Sequence, residues 1–183
     1  MNDRVIKLEN IFPRLLKDTY VIHSTGGYHP FKDVLEAESI FKEDAWPYIQ
    51  RIHWLNQPND PANEWKKNNR AKQLNIQMSF MHCYPYISLM GEEKVLKHPK
   101  NKPSHWGYQS VFMKMHVAVA RAFIPNIHNK SQVCHINDDP ANYRISNLKW
   151  GTNREKHTGR RGDRAMSFNT LHTIFKINGW AKG

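Results

Sequence analysis

The sequence predicts an α+β fold, and three observations carry that expectation. Short segments rich in aromatic and β-branched residues, "FMHCYPYISLM" and "GYQSVFMKMH", follow Ser79 and suit strands. The run "HVAVARAFIP" sets Val117, Ala120 and Ile124 on one helical face, and Pro125 ends it. Thr152 and Glu155 have the T-x-x-E spacing of a capping box, in which each side chain satisfies a backbone donor at a helix start.

Taken in order, residues 1–75 form an N-terminal region of mixed α/β character without a clean repeat. Phe31, Val34, Leu35, Ile40 and Phe41 give a weak helical pattern, and Pro47 starts or breaks a helix. "STGGYHP", Ser24–Pro30, lacks the lysine and spacing of a phosphate loop and reads as a turn. The polar, Pro/Asn-rich stretch Asn56–Asn75 marks a domain boundary. Residues 76–162 form the second domain, and residues 163–183 a basic tail or short helix with Phe168, Leu171, Ile174 and Phe175 on one side. Within the second domain, "GEEKVLKHPKNKPSHWG" reads as a basic loop and "NIHNKSQ" as a turn. "VCHI" reads as a short strand, residues 137–147 as a loop, and a helix is expected from about Asn153.

Charge narrows the partners. The chain carries 27 Lys plus Arg against 16 Asp plus Glu, a formal net charge of +11. Such an excess selects polyanions, with nucleic acid first. An anionic membrane is the rival, but no apolar run is long enough to span a bilayer. The N-terminus lacks a basic region followed by an apolar stretch, and Cys83 and Cys134 suggest no disulfide framework. A soluble protein of the cytoplasm is expected. The positive charge clusters at Arg144, Lys149, Arg154, Lys156, Arg160, Arg161 and Arg164, a strip suited to phosphate contacts.

The segment Val133–His157, "VCHINDDPANYRISNLKWGTNREKH", concentrates the chemistry. A strand, a long loop and a capped helix would bring His135 close to the first turns of the helix. Neutral histidine suits the general base of a hydrolysis, and an Asn side chain can both donate to and accept from loop backbone.

Together, "MHVAVARAFIPN" and "QVCHINDDPANYRISNLKWGT" resemble the HNH endonucleases of bacteriophages and mobile introns. The resemblance covers roughly Gly107–Gly162, about a third of the chain. It implies a ββα-metal (His-Me finger) core, homing-type cleavage of double-stranded DNA and one divalent ion, Mg²⁺ or Mn²⁺. It also implies a phage-encoded origin. His135 matches the general base, Asn147 the middle Asn that holds the loop, and Leu148 and Trp150 the core beneath it. His116 opens the short helix and, with Trp150 and Thr152, supports the site.

Two positions depart from the family's pattern. Cys134 stands where many members carry a metal-binding Asp. Lys156 stands where the last metal ligand falls, and His157 is one residue later, a turn of about 100° round a helix. Cys134 and His157 are the candidate metal ligands. Lys156 would repel a divalent ion but suits a phosphate. Asp138 and Asp139 are expected to form a turn, and a zinc site built on His82–Cys83 and Cys134–His135 lacks any C-x-x-C spacing. The alternative to a nuclease is a catalytically degenerate HNH-fold DNA-binding protein; an RNA-directed protein is a third reading.

Overall fold

A computed structural model of the protein describes residues 2–27, 46–52, 73–79 and 84–158, with residues 156–158 described as backbone alone. The expected helix over Phe31–Phe41, most of Asn56–Asn75, the His82–Cys83 pair and everything after Thr158 lie outside these residues. The chain divides into two compact units. One takes residues 1–75 and Ile87–Met113; the other takes Ile76–Tyr86 and residues 114–183. The basic stretch between the two predicted strands therefore groups with the N-terminal region.

The first unit is built on a three-stranded antiparallel sheet of β1 (Val5–Lys7), β2 (Tyr20–Gly27) and β3 (Trp46–Arg51), in that order. Ile22 pairs with Ile49 and His23 with Tyr48, and all four side chains are buried. The His23 and Tyr48 rings stack with centroids 4.4 Å apart, and the Asp3 carboxylate holds His23 Nδ1 at 2.6 Å. Ser24–Gly27 belong to β2, not to a turn. The strand carries an irregularity between His23 and Gly27, and the two glycines explain why the sequence signal misleads. Gly26 has φ +93°, and a Cβ on Gly27 would sit 2.7 Å from the Trp46 carbonyl oxygen. A bulge of this kind needs residues that tolerate positive φ and close backbone approach.

The expected basic loop is mostly strand. β5 runs Pro85–Lys97 and β6 His105–Lys114, leaving only residues 98–104 between them. An antiparallel ribbon with both faces partly wet shows little of the apolar alternation by which strands are recognised in sequence.

In the second unit, β4 (Gln77–Met78) pairs with the first residues of β5, and the Ser79 amide donates to the Tyr84 carbonyl at 3.1 Å. Helix α1 spans Met115–Phe123. Its buried side chains are Met115, His116, Ala118, Val119, Ala120 and Phe123, so its inner surface is wider than the expected Val117–Ala120–Ile124 face and leaves Val117 and Ile124 partly exposed. The turn after α1 is closed by Asn126, whose side chain bonds both the amide and the carbonyl of Lys130.

Two further strands follow, β7 (Gln132–His135) and β8 (Leu148–Gly151), paired antiparallel from Gln132–Gly151 to His135–Leu148. Helix α2 (Asn153–Thr158) closes the described chain. The helix begins where its capping box predicts. The Thr152 amide donates to Glu155 Oε2 at 2.6 Å, and the Glu155 amide donates to Thr152 Oγ1 at 3.3 Å. No helix among the described residues is long and apolar enough to cross a membrane. The mixture of strand-rich sheets and short helices is α+β.

Candidate active site

Pairing in the β7–β8 ribbon decides where each side chain goes. Directly opposed residues share a face, and faces alternate along a strand. Val133, His135, Leu148 and Trp150 therefore share one face; Gln132, Cys134, Lys149 and Gly151 share the other. The first face is tied to α1, because Trp150 Nε1 donates to the Ile124 carbonyl at 2.9 Å. The second faces the start of α2. A Cβ on Gly151 would fall 2.7 Å from Cys134 Sγ and 3.3 Å from the Glu155 carboxylate. The two neighbours singled out from the sequence, Cys134 and His135, thus point to opposite sides of the ribbon.

His135 ends β7 in a cluster of three rings. Its ring centroid lies 4.8 Å from that of His116 and 5.9 Å from that of Tyr84, and Tyr84 lies 4.8 Å from His116. His116 is 5% exposed. The Lys114 ammonium lies 5.0 Å from the Tyr84 ring centroid, within cation–π range. Tyr84 and Lys114 received no role from the sequence. Tyr84 lies far from His135 along the chain, and only the β4–β5 pairing and α1 bring the two together.

Between β7 and β8 the chain makes a long excursion that Asn147 pins. Its side-chain oxygen accepts from the Asn137 amide at 3.1 Å, and its Nδ2 donates to Asn137 Oδ1 and to the Asn142 carbonyl, both at 2.8 Å. Its own carbonyl accepts from the Ile136 amide at 2.8 Å, next to His135. Asn147 is 8% exposed and Asn142 2%, so these partners substitute for water that cannot reach them. Asp138 has φ +59°, and Asp139 Oδ1 accepts from the Ala141 amide at 2.9 Å, so both aspartates are spent on the turn. Tyr143 is wholly buried beneath the loop, and burial pushes its hydroxyl well above the ordinary tyrosine range.

Of the basic residues, Lys149 and Arg154 are exposed. Arg144 is half-buried, its Nε donating to Asn142 Oδ1 at 3.2 Å, so part of its guanidinium braces the loop. The side chains of Lys156 and His157, and all of Arg160, Arg161 and Arg164, lie outside the described residues.

The described residues do not by themselves make a divalent-metal site. No group of three His, Cys, Asp or Glu among them is arranged to hold an ion. Cys134 is a free thiol, a soft donor poorly suited to Mg²⁺, which prefers oxygen. Glu155 is engaged by the cap and by Lys130, whose ammonium lies 3.1 Å from its carboxylate. The Thr152 backbone bond, and then Lys130, hold that carboxyl below the usual carboxylate range.

Residues 113–158, about a quarter of the chain, match the family model described as HNH endonuclease. That segment is similar to HNH endonucleases, and a nuclease-type function on nucleic acid is the coarse reading that follows. The matched segment runs from the end of β6 to the end of α2 and includes His116, His135 and Asn147. No curated protein and no solved structure matches the chain.

Proposed function

We propose that the protein is an HNH-type DNA endonuclease that hydrolyses phosphodiester bonds, with His135 as general base. The observation that carries the reading is the placement of His135. It stands at the end of a short strand, beside a loop clamped by Asn147, inside the segment that matches the HNH family. The strand–loop–strand–helix order of β7, β8 and α2 supports a ββα-metal core.

Hydrolysis needs a water, a group to take its proton and a stabiliser for charge developing on the phosphoryl oxygens. His135 takes the proton as the water oxygen bonds to phosphorus, and the bond from phosphorus to the leaving sugar oxygen breaks. His116 and Tyr84 pack around the imidazole and fix the direction in which its base nitrogen points. Asn147 fixes the backbone that follows His135. Lys149 and Arg154, with Lys156, Arg160, Arg161 and Arg164, contact phosphates of double-stranded DNA. Mg²⁺ or Mn²⁺ would supply charge neutralisation when bound, as HNH nucleases generally use divalent ions; Cys134, a soft donor on the face opposite His135, does not fit that ion, and His157 stays the candidate ligand.

In a plasmid assay with Mg²⁺ or Mn²⁺, His135→Ala abolishes cleavage and leaves DNA binding intact. Equal cleavage by His135→Ala overturns the assignment. Cys134 and Lys156 favour a second reading, a catalytically degenerate DNA-binding protein on the HNH fold. DNA that is retarded but uncut with Mg²⁺, Mn²⁺ and EDTA alike selects that reading over the first.

A further inference from the structure

The outer part of the β5–β6 ribbon leaves large apolar side chains in water. Trp106 and Phe112 are each 69% exposed and Leu96 45%, three of the six large hydrophobic residues exposed among the described residues. On β6, Trp106, Tyr108 and Phe112 are separated by even steps and so share one face. Lys94 joins that face from β5, its ammonium 5.6 Å from the centroid of the Tyr108 ring. The opposite face is different: Ile87, Leu89, Gly91 and Met113 are buried there. The ribbon is thus packed on one side at its base, is wet on both sides toward its tip, and presents aromatic rings with Lys94 and Glu92 on the other side.

Charge selects the occupant. Across the ribbon and its turn, residues 85–114, Lys94, Lys97, Lys100, Lys102 and Lys114 stand against Glu92 and Glu93, and Glu92, on the same face as Lys94, is paired with Lys17 at 3.6 Å. A second copy of the chain would bring like charges together, which disfavours self-association through this face. A DNA duplex satisfies both the lysines and the rings: phosphates pair with ammonium groups, while sugars and the thymine methyl groups at base edges cover the aromatics. A two-stranded antiparallel ribbon also has the width that the major groove of a DNA duplex admits.

We infer that the exposed face of β5–β6 is a second DNA-binding surface, which engages duplex DNA through Trp106, Tyr108 and Phe112 together with Lys94. None of these residues belongs to the basic strip at Arg144–Arg164, and only Met113 and Lys114 of this ribbon fall within the matched segment. The inference rests on DNA as the substrate of the proposed function, but not on the chemistry of cleavage.

The test is fluorescence anisotropy with a labelled duplex and a labelled single strand in EDTA, where no cleavage occurs. Trp106→Ala is expected to weaken duplex binding about ten-fold, through the apolar area no longer covered, and Trp106→Phe, which keeps a ring, to recover most of it. Lys94→Gln is expected to flatten the dependence of log affinity on log salt by about one unit. Both positions are exposed, and unchanged circular dichroism checks that the variants are folded. Unchanged duplex affinity in Trp106→Ala and Lys94→Gln together overturns the inference. So does a Trp106→Ala loss confined to the single strand, to phosphatidylserine vesicles or to self-association at micromolar protein. His135→Ala separates the two proposals. Equal cleavage by that variant removes the nuclease assignment while a Trp106→Ala binding loss stands. Unchanged binding by Trp106→Ala beside an inactive His135→Ala removes only the ribbon.

Discussion

Asn147→Ala is the sharpest test of how the site is held. The substitution removes three side-chain hydrogen bonds, to the Asn137 amide, to Asn137 Oδ1 and to the Asn142 carbonyl. Asn137 is exposed, so its side chain can turn to water. The Asn142 carbonyl and the Asn137 amide lose a partner in a place where Asn142 is 2% exposed. Each polar group orphaned in this way costs about 1–3 kcal/mol, giving about 2–6 kcal/mol for the two before the missing side-chain volume is counted. That is a large share of the roughly 5–15 kcal/mol that stabilises an ordinary domain. Asn147→Asp keeps the acceptor for the Asn137 amide but turns a carboxylate toward two oxygens that were accepting from Nδ2, so it should be at least as damaging. Urea denaturation, with hydrogen exchange read at the Ile136 and Asn137 amides, measures both the global loss and its location. A loss below about 1 kcal/mol for Asn147→Ala, with those amides still protected, would refute the reasoning.

Other perturbations follow from the same geometry. His116→Ala opens the ring cluster beside His135 and is expected to lower the cleavage rate by up to about 10²-fold at saturating DNA, as misplaced catalytic groups do, while His116→Phe retains more activity and DNA affinity is unchanged in both; a plasmid-nicking time course checks it. Trp150→Phe removes the bond to the Ile124 carbonyl and should cost about 1 kcal/mol in chemical denaturation. The depressed Glu155 carboxyl contributes stability above the usual carboxylate range, and that contribution is lost as pH falls through its folded value. The Thr152 and Glu155 amides should therefore lose protection on acidification in the wild type, and this pH dependence should vanish in Glu155→Gln. Burial pushes the Tyr48 hydroxyl from 10.0 up to about 12, so its stabilising contribution is complete below pH 10 and lost as pH rises through about 12. Titration of tyrosinate absorbance should show Tyr48→Phe lacking a late-ionising group.

The sequence by itself determined what is local or tied to charge. The capping box fixes the start of α2 because both partners lie within one helical turn. Pro125 fixes the end of α1, and the Asp-rich turn before Ala141 follows from short side chains that bond neighbouring amides. The HNH resemblance was legible because His135, Asn147 and Trp150 keep a fixed order and spacing within one short segment. Tertiary structure decided what depends on distant partners. The two strand segments were legible, but Gly91–Gly107 between them reads as a basic loop in sequence because the outer residues of β5 and β6 pair across a hairpin without burying an alternating face. Ser24–Gly27 reads as a turn because glycines that serve a bulge look the same as glycines that serve a loop. Tyr84 and Lys114 join the candidate site only through the packing of α1 and the β4–β5 pairing. Cys134 and His135, adjacent in the chain, part to opposite faces because cross-strand pairing orients them. A side chain's chemistry is written in its own residue, but which neighbours share its face is set by partners the chain supplies from elsewhere.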